Sequence, residues 1–169
     1  MIIGNGTIAS ILPDREGFLF FASGVSNSQE TKESEYQREI DLLLQQNKKL
    51  HIVYFSTLSL FYNTTRYTQH KKYMEELIKK NFKHYTIMRL GSPTWGNNPN
   101  HLVSFFRNKI SNKESFQIWD TERYILEKEE FLHWINKIPP WNCEMNVPGI
   151  RMKVKEIVKK YGYTKISKK

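Results

Sequence analysis

The chain has 169 residues, 39% hydrophobic and 14% aromatic, and a formal net charge of +9. That length suits one folded unit rather than two independent ones, and no apolar run approaches the roughly 18 residues of a membrane-spanning helix. Nor is the body a basic nucleic-acid surface: residues 151–169 hold eight Lys or Arg against Glu156 alone, a net +7, which leaves +2 for everything before them.

The N-terminal "MIIGNG" carries no charged leader, apolar core region or cleavage site, and the single Cys143 has no partner for an internal disulfide. Both features make the cytoplasm the expected compartment. Five scattered histidines lack ligand spacing and predict no metal site.

Met1–Ile3 reads as a first strand, followed by Gly4-Asn5-Gly6-Thr7-Ile8-Ala9, a G-x-G-x-x-A that opens a helix. Glycines in such a turn let backbone amides and a helix N-terminus approach a pyrophosphate, although a plain strand-to-helix turn uses them too. Phe18–Ala22 reads as the next strand and ends in Ala22-Ser23-Gly24, small residues at the sheet edge where ligands bind in α/β folds. Tyr36, Ile40, Leu43 and Leu44 then form a helical stripe.

His51–Phe55 predicts a strand that runs out into Ser56-Thr57, and Met74, Leu77 and Ile78 mark the helix after it. Tyr67 and Lys71 share one face of that helix, because residues four apart are neighbours there. A phenol with a reference pKa near ~10 is a poor base at neutral pH, and a nearby ammonium lowers that value. Tyr67 would then exchange a proton with a substrate oxygen that Thr57 holds. Taken alone, the pair reads as a helix-start aromatic and a solvated lysine, since such pairs are common; its weight as a site comes from the preceding Ser56-Thr57 and the order of the three constellations.

Tyr85–Leu90 and Phe116–Trp119 read as further strands, with helical stripes at Leu102, Val103, Phe106 and Ile110 and at Phe131, Ile135 and Ile138. Strands alternating with helices, apolar on consecutive positions, predict an α/β class with a parallel sheet of about five strands covered on both faces. Pro139-Pro140 suggests a break, dividing residues 1–138 from a basic C-terminal helix and tail at 139–169. Ile150, Val154, Ile157, Val158 and Tyr161 give that helix an apolar stripe, and "KISKK" reads as a frayed end. A weak contact of this tail with an anionic surface is its other reading.

Taken in order, these segments resemble the extended short-chain dehydrogenase/reductase family, the NAD-dependent sugar epimerase/dehydratase group. Gly4–Ala9 is similar to its nucleotide loop, "FASGVSNS" to its fourth strand, "VYFSTLSLF" to its hydroxyl-bearing strand and "YTQHK" to its Tyr-Lys helix. "MRLGSPTWGNNPN" is similar to its sixth strand and loop, and "WDTERYILEKEEF" to the segment whose arginine, matching Arg123, meets a nucleotide-sugar diphosphate.

The resemblance implies a minimal Rossmann-like three-layer α/β/α fold that takes NAD or NADP and a nucleotide sugar, acting as an epimerase or reductase in surface polysaccharide biosynthesis. It makes Thr57, Tyr67 and Lys71 catalytic, with Lys71 also on the nicotinamide ribose and lowering the tyrosine pKa. Gly4, Asn5, Gly6, Thr7, Ile8, Ala22, Ser23, Gly24, Leu90 and Ser92 become cofactor contacts, and Ser26, Asn98, Asn100 and Arg123 substrate contacts. It further implies a homodimer through helices 36–47 and 67–81.

The departures from the family pattern are specific. Only eight residues, Ser10 to Gly17, separate Ala9 from the next strand, so the family's second and third strands and its ribose-binding acid have no place here. An asparagine usual in the family is replaced around Arg38 and Glu39, and a late aspartate falls at Glu129 or Glu130. An incomplete adenosine pocket follows. The alternative is therefore an inactive family member that binds a nucleotide sugar or a partner enzyme.

Overall fold

A computed structural model describes residues 1–163. In chain order its elements are β1 (Ile2–Ile3), β2 (Phe18–Phe21), α1 (Glu33–Leu44), β3 (His51–Thr57), α2 (Arg66–Asn81), β4 (Tyr85–Leu90), β5 (Ser92–Pro93), α3 (Leu102–Ser111), β6 (Glu122–Leu126), α4 (Lys128–Asn136), β7 (Cys143–Val147), β8 (Ile150–Lys153) and α5 (Val154–Ile157). β1, β2, β3, β4 and β7 form a wholly parallel five-stranded sheet in that order. A small second sheet pairs β6 with β5 in parallel and with β8 antiparallel.

Successive strand residues face opposite layers, so the apolar runs build two cores. On one face Phe20, Val53 and Met88 pack with Leu12 and with Phe131 and Ile135 of α4. On the other, Leu19, Phe21, Ile52 and Tyr54 pack with Leu43 of α1 and with Met74 and Ile78 of α2. Phe20 and Phe21 are at most 1% exposed, which stabilises the sheet by about 2–3 kcal/mol each. The architecture is the minimal Rossmann-like three-layer α/β/α fold.

The strands step across the sheet in one direction, yet their connections do not share a face. The β1–β2 link packs Ile8, Ile11 and Leu12 on the α4 side, whereas α1 and α2 cross on the other side. The first connection therefore has the hand opposite to the next two, against the strong right-handed preference of parallel crossovers. Its shortness explains this: a single 3-10 turn, Ala9–Ile11, lies between the strands, followed at once by Pro13. The helix expected after Gly4–Ala9 is thus one turn long.

Two further expectations are corrected. Phe116–Trp119 is not a strand; its aromatic rings pack on α3 instead, Phe116 against Phe106 at 5.5 Å and Trp119 against Phe105 at 6.3 Å. The fifth parallel strand is β7, in the segment read as a break and terminal helix. Within that segment Ile150 belongs to β8, and only Val154, Ile157, Val158 and Tyr161 form the buried stripe, packed against α3 and Ile125. The "KISKK" expectation lies outside the described residues.

Candidate active site

Adjacent connections on opposite faces leave a crevice between the loops after β1 and β2, the place where open α/β sheets bind ligands. Here the reversed first crossover creates it without any reversal of strand order. The cleft has a volume of about 1010 Å³ and is bounded by the loops that follow β1, β2, β3 and β4. Its lining holds Arg38, Lys71 and Arg123 but no aspartate or glutamate among the described residues.

Three glycines at and beneath the cleft have different tasks. Gly4 has φ +124°, and a Cβ there would collide with the Ala22 carbonyl, so it serves the close approach of β1 to β2 and does not line the cleft. At Gly6 a Cβ would meet no atom within 4 Å, which leaves backbone open to the cleft. At Gly24 a Cβ would stand 2.6 Å from Lys71 Nζ and 2.7 Å from Glu39 Oε1. Asn5, Thr7, Ile8, Ala22, Ser23, Leu90 and Ser92 all line the cleft beside them.

α2 delivers the reactive side chains because Thr65 starts it. The Thr65 hydroxyl accepts from the Thr68 N–H and the Thr68 hydroxyl accepts from the Thr65 N–H, a reciprocal cap that satisfies two orphan donors. This fixes Tyr67 in the first turn, half-buried in the cleft, and Lys71 one turn on, 2% exposed, with its Nζ 5.7 Å from the Tyr67 ring centroid. Thr57 arrives from the end of β3. Its hydroxyl donates to Ser59 Oγ at 3.0 Å and accepts from the Ser59 N–H at 3.1 Å, capping the turn Leu58–Phe61.

Lys71 is not free to act on Tyr67 alone. Its ammonium donates to Glu39 Oε1 at 3.1 Å and to the Tyr54 hydroxyl at 3.0 Å. Glu39, wholly buried, also accepts from the Val25 N–H at 2.7 Å, from Tyr54 at 2.7 Å and from His70 Nε2 at 3.0 Å. With Glu39 ionised, the network assigns the proton to His70 Nε2. Burial opposes that ionised form, but Lys71, His70, Val25 and Tyr54 together hold the carboxyl well below the usual range.

At Tyr67 the expected lowering by Lys71 is present but is outweighed by burial. Burial pushes the phenol up; Lys71 and Thr57 pull it down, Glu39 and Tyr62 push it up, and the balance lies above the ordinary value. Glu39 was legible only as a departure from the family pattern, and Ser59, Tyr62 and His101 gave no signal.

At the other end, Asn98 Nδ2 donates to Ser26 Oγ at 3.1 Å, and the Asn100 N–H donates to Asn98 Oδ1 at 3.0 Å. Arg123 lines the cleft from β6 and donates to the Glu122 carbonyl at 2.8 Å. Nearby, His101 Nδ1 is buried with no hydrogen-bond partner among the described residues, and burial lowers the imidazole pKa. Arg38, exposed on the rim, donates to the Ser23 carbonyl at 3.3 Å. The predicted catalytic, cofactor and substrate residues other than Gly4 thus share one cleft.

No protein-family model matches the chain, and no curated protein does. Solved structures share its fold. A dTDP-4-dehydrorhamnose reductase from Bacillus anthracis, in complex with NADP, has TM-score 0.68 at 14% identity over 89% of this chain and 64% of that one. The Bordetella bronchiseptica enzyme WbmG, in complex with NAD and UDP, has TM-score 0.65 at 13% identity over 86% of this chain and 56% of its own. The capsular polysaccharide assembling protein CapF from Staphylococcus aureus has TM-score 0.56 at 20% identity, over 86% and 44%. The chain therefore spans less than two thirds of each of these structures. At these identities the likeness establishes a common Rossmann-like fold.

Proposed function

We propose that this chain is a minimal extended short-chain dehydrogenase/reductase that binds NAD or NADP in the cleft and acts on a nucleotide sugar as an epimerase or reductase, in surface polysaccharide biosynthesis. The observation that carries this reading is the cleft itself: Thr57, Tyr67 and Lys71 converge at the carboxyl ends of parallel strands, in a lining that among the described residues holds Arg38, Lys71 and Arg123 and no carboxylate, the partners of Arg38 and Lys71, Glu35 and Glu39, standing outside it. Such a lining suits a ligand with two or more phosphates.

The residues fit one end of a dinucleotide better than the other. Open backbone at Gly6 suits a pyrophosphate, and Lys71 beside Tyr67 suits a nicotinamide ribose. Among the described residues the lining offers no acid to an adenosine ribose, which leaves that end to Arg38, Ser23 and backbone. When bound, the dinucleotide supplies the hydride. Tyr67 moves the proton, Thr57 with Ser59 orients the reacting oxygen, and Arg123, Asn98, Asn100 and Ser26 hold the sugar nucleotide. Exposed Tyr73 on α2 and Leu44 on α1 support a homodimer through those helices, and the cytoplasm is the proposed compartment.

Calorimetric titration with NAD, NADH, NADP and NADPH tests the reading. Micromolar binding that a Gly6→Arg variant abolishes is the expected result; no binding to the wild type would sink it. A second reading, binding without turnover, has one observation in its favour: Thr57 gives its hydroxyl proton to Ser59 and Lys71 its ammonium to Glu39 and Tyr54. Turnover of a nucleotide sugar that disappears in Tyr67→Phe would exclude it.

A further inference from the structure

The largest charge asymmetry in the chain lies outside the cleft, since residues 151–169 carry a net +7 and everything before them +2. Where this segment is described, one side of it is fixed to the body. Val154, Ile157, Val158 and Tyr161 are buried against α3 and Ile125, along α5 and the wide helical turn Val158–Gly162 that continues it. That packing leaves Lys153, Lys155, Lys159, Lys160 and Tyr163 exposed on the outward side.

Neighbouring carboxylates balance only part of this charge. Glu122 takes Arg151, Glu127 takes Lys160, and Glu156 is turned back onto the Lys153 N–H at 3.1 Å. Lys153, Lys155 and Lys159 have no ion pair among the described residues.

Apolar side chains stand exposed around the same lysines. The Val154 N–H donates to the Thr121 carbonyl at 2.9 Å, which brings Ile118 and Trp119, 45% and 41% exposed, to the start of α5. Ile150 on β8 and Tyr163 beyond the helical turn are exposed as well. Lysines beside exposed Trp, Tyr and Ile match the boundary of an anionic bilayer, where ammonium groups reach phosphates and aromatic rings rest at headgroup level. A nucleic acid would use the lysines but has no partner for Ile118 and Ile150.

We propose that this face, Lys153, Lys155 and Lys159 flanked by Ile118, Trp119 and Tyr163, docks the chain on an anionic lipid surface. β8 pairs with β6 so that Arg151 stands opposite Tyr124 and Met152 opposite Arg123, and both β6 residues line the cleft. Docking therefore holds the Arg123 end of the cleft beside the bilayer, whatever ligand the cleft takes.

The test is co-sedimentation of the full chain with vesicles of equal parts phosphatidylcholine and phosphatidylglycerol, and with vesicles of phosphatidylcholine alone. Binding to the mixed vesicles only, weakened by salt, is expected. Each lysine at such a surface strengthens binding about five-fold, so Lys153→Gln, Lys155→Gln and Lys159→Gln together should weaken it about 100-fold. The same charge removed from exposed lysines elsewhere, by Lys48→Gln, Lys49→Gln and Lys83→Gln, should change it by less than about five-fold. The Trp119 emission, read as the difference between wild type and Trp119→Phe, should shift to the blue on the mixed vesicles. No binding to the mixed vesicles, equal binding to the neutral ones, or equal losses in the two triple variants overturns the proposal. So does displacement from the vesicles by single-stranded RNA at equal phosphate concentration. Should the first triple variant fail to fold, the salt dependence and the Trp119 shift still decide, and each of these outcomes leaves the proposed function standing.

Discussion

The Trp95 indole N–H donates to the Thr7 carbonyl oxygen at 3.1 Å, joining the loop after β4 to the loop after β1. The ring also packs on Phe131, 5.3 Å between centroids. Trp95→Phe keeps most of that packing and removes the donor, which should cost about 1 kcal/mol in urea unfolding. Dinucleotide affinity should fall several-fold, because Thr7 lines the cleft. Unchanged affinity in a destabilised variant would show that this loop does not hold the ligand.

Gly6 and Gly24 should respond differently to the same substitution. Gly24→Ala drives a methyl group into the Lys71–Glu39 pair and should destabilise by about 1–3 kcal/mol, the usual range for overpacking. Gly6→Ala meets no protein atom and should stay within about 0.5 kcal/mol of wild type. Paired chemical denaturation curves would separate them.

A second enclosed ion pair offers a stability test away from the cleft. Glu75, 4% exposed, accepts from Ser56 and from Arg89, which also reaches Glu144. Arg89→Met strands that carboxylate, at a cost of about 3–5 kcal/mol. Lys79 pairs with Glu76 and Glu144 at the surface, so Lys79→Met should cost below about 1 kcal/mol. Equal losses would mean that burial is not what sets the difference.

His51 gives stability a slope with pH. Burial, with His84 and Arg15 nearby, brings its imidazole from 6.5 to about 4. Between those values the unfolded chain binds a proton that the folded chain does not, so stability falls as pH drops from 6.5 towards 4. Denaturant midpoints measured through this window should show the slope, and His51→Gln should remove it. Glu39 acts lower: its depressed carboxyl contributes stability above pH 4.5 that is lost as pH falls further.

Strands covered on both faces were the most legible part of the sequence. "HIVYF" and "YTIMRL" are apolar on consecutive positions apart from Arg89, whose charge is met by Glu75 and Glu144, and β3 and β4 fall where those runs stand. β7 was hidden because it is an edge strand whose Glu144 and Asn146 face outward, so "CEMNV" carries no apolar signal. Phe116 and Trp119 misled for the opposite reason, being apolar side chains on irregular backbone that fill a gap against α3. In the site, the four-residue spacing of Tyr67 and Lys71 could be read directly. Their electrostatic balance could not, because it depends on Glu39, 32 residues from Lys71, and nothing in "QREID" marks that glutamate as the inward one.

The neighbour-by-neighbour strand order also shapes how the chain folds. As far as β4, each strand of the large sheet docks beside the one synthesised just before it, so the loops closed in those steps are short. β7 is the exception, since it reaches β4 only after the segment from Gly91 to Asn142 has been laid down. Non-local contact is thus concentrated in one closure, which makes β4–β7 the pairing with the largest loop-closure cost in the sheet.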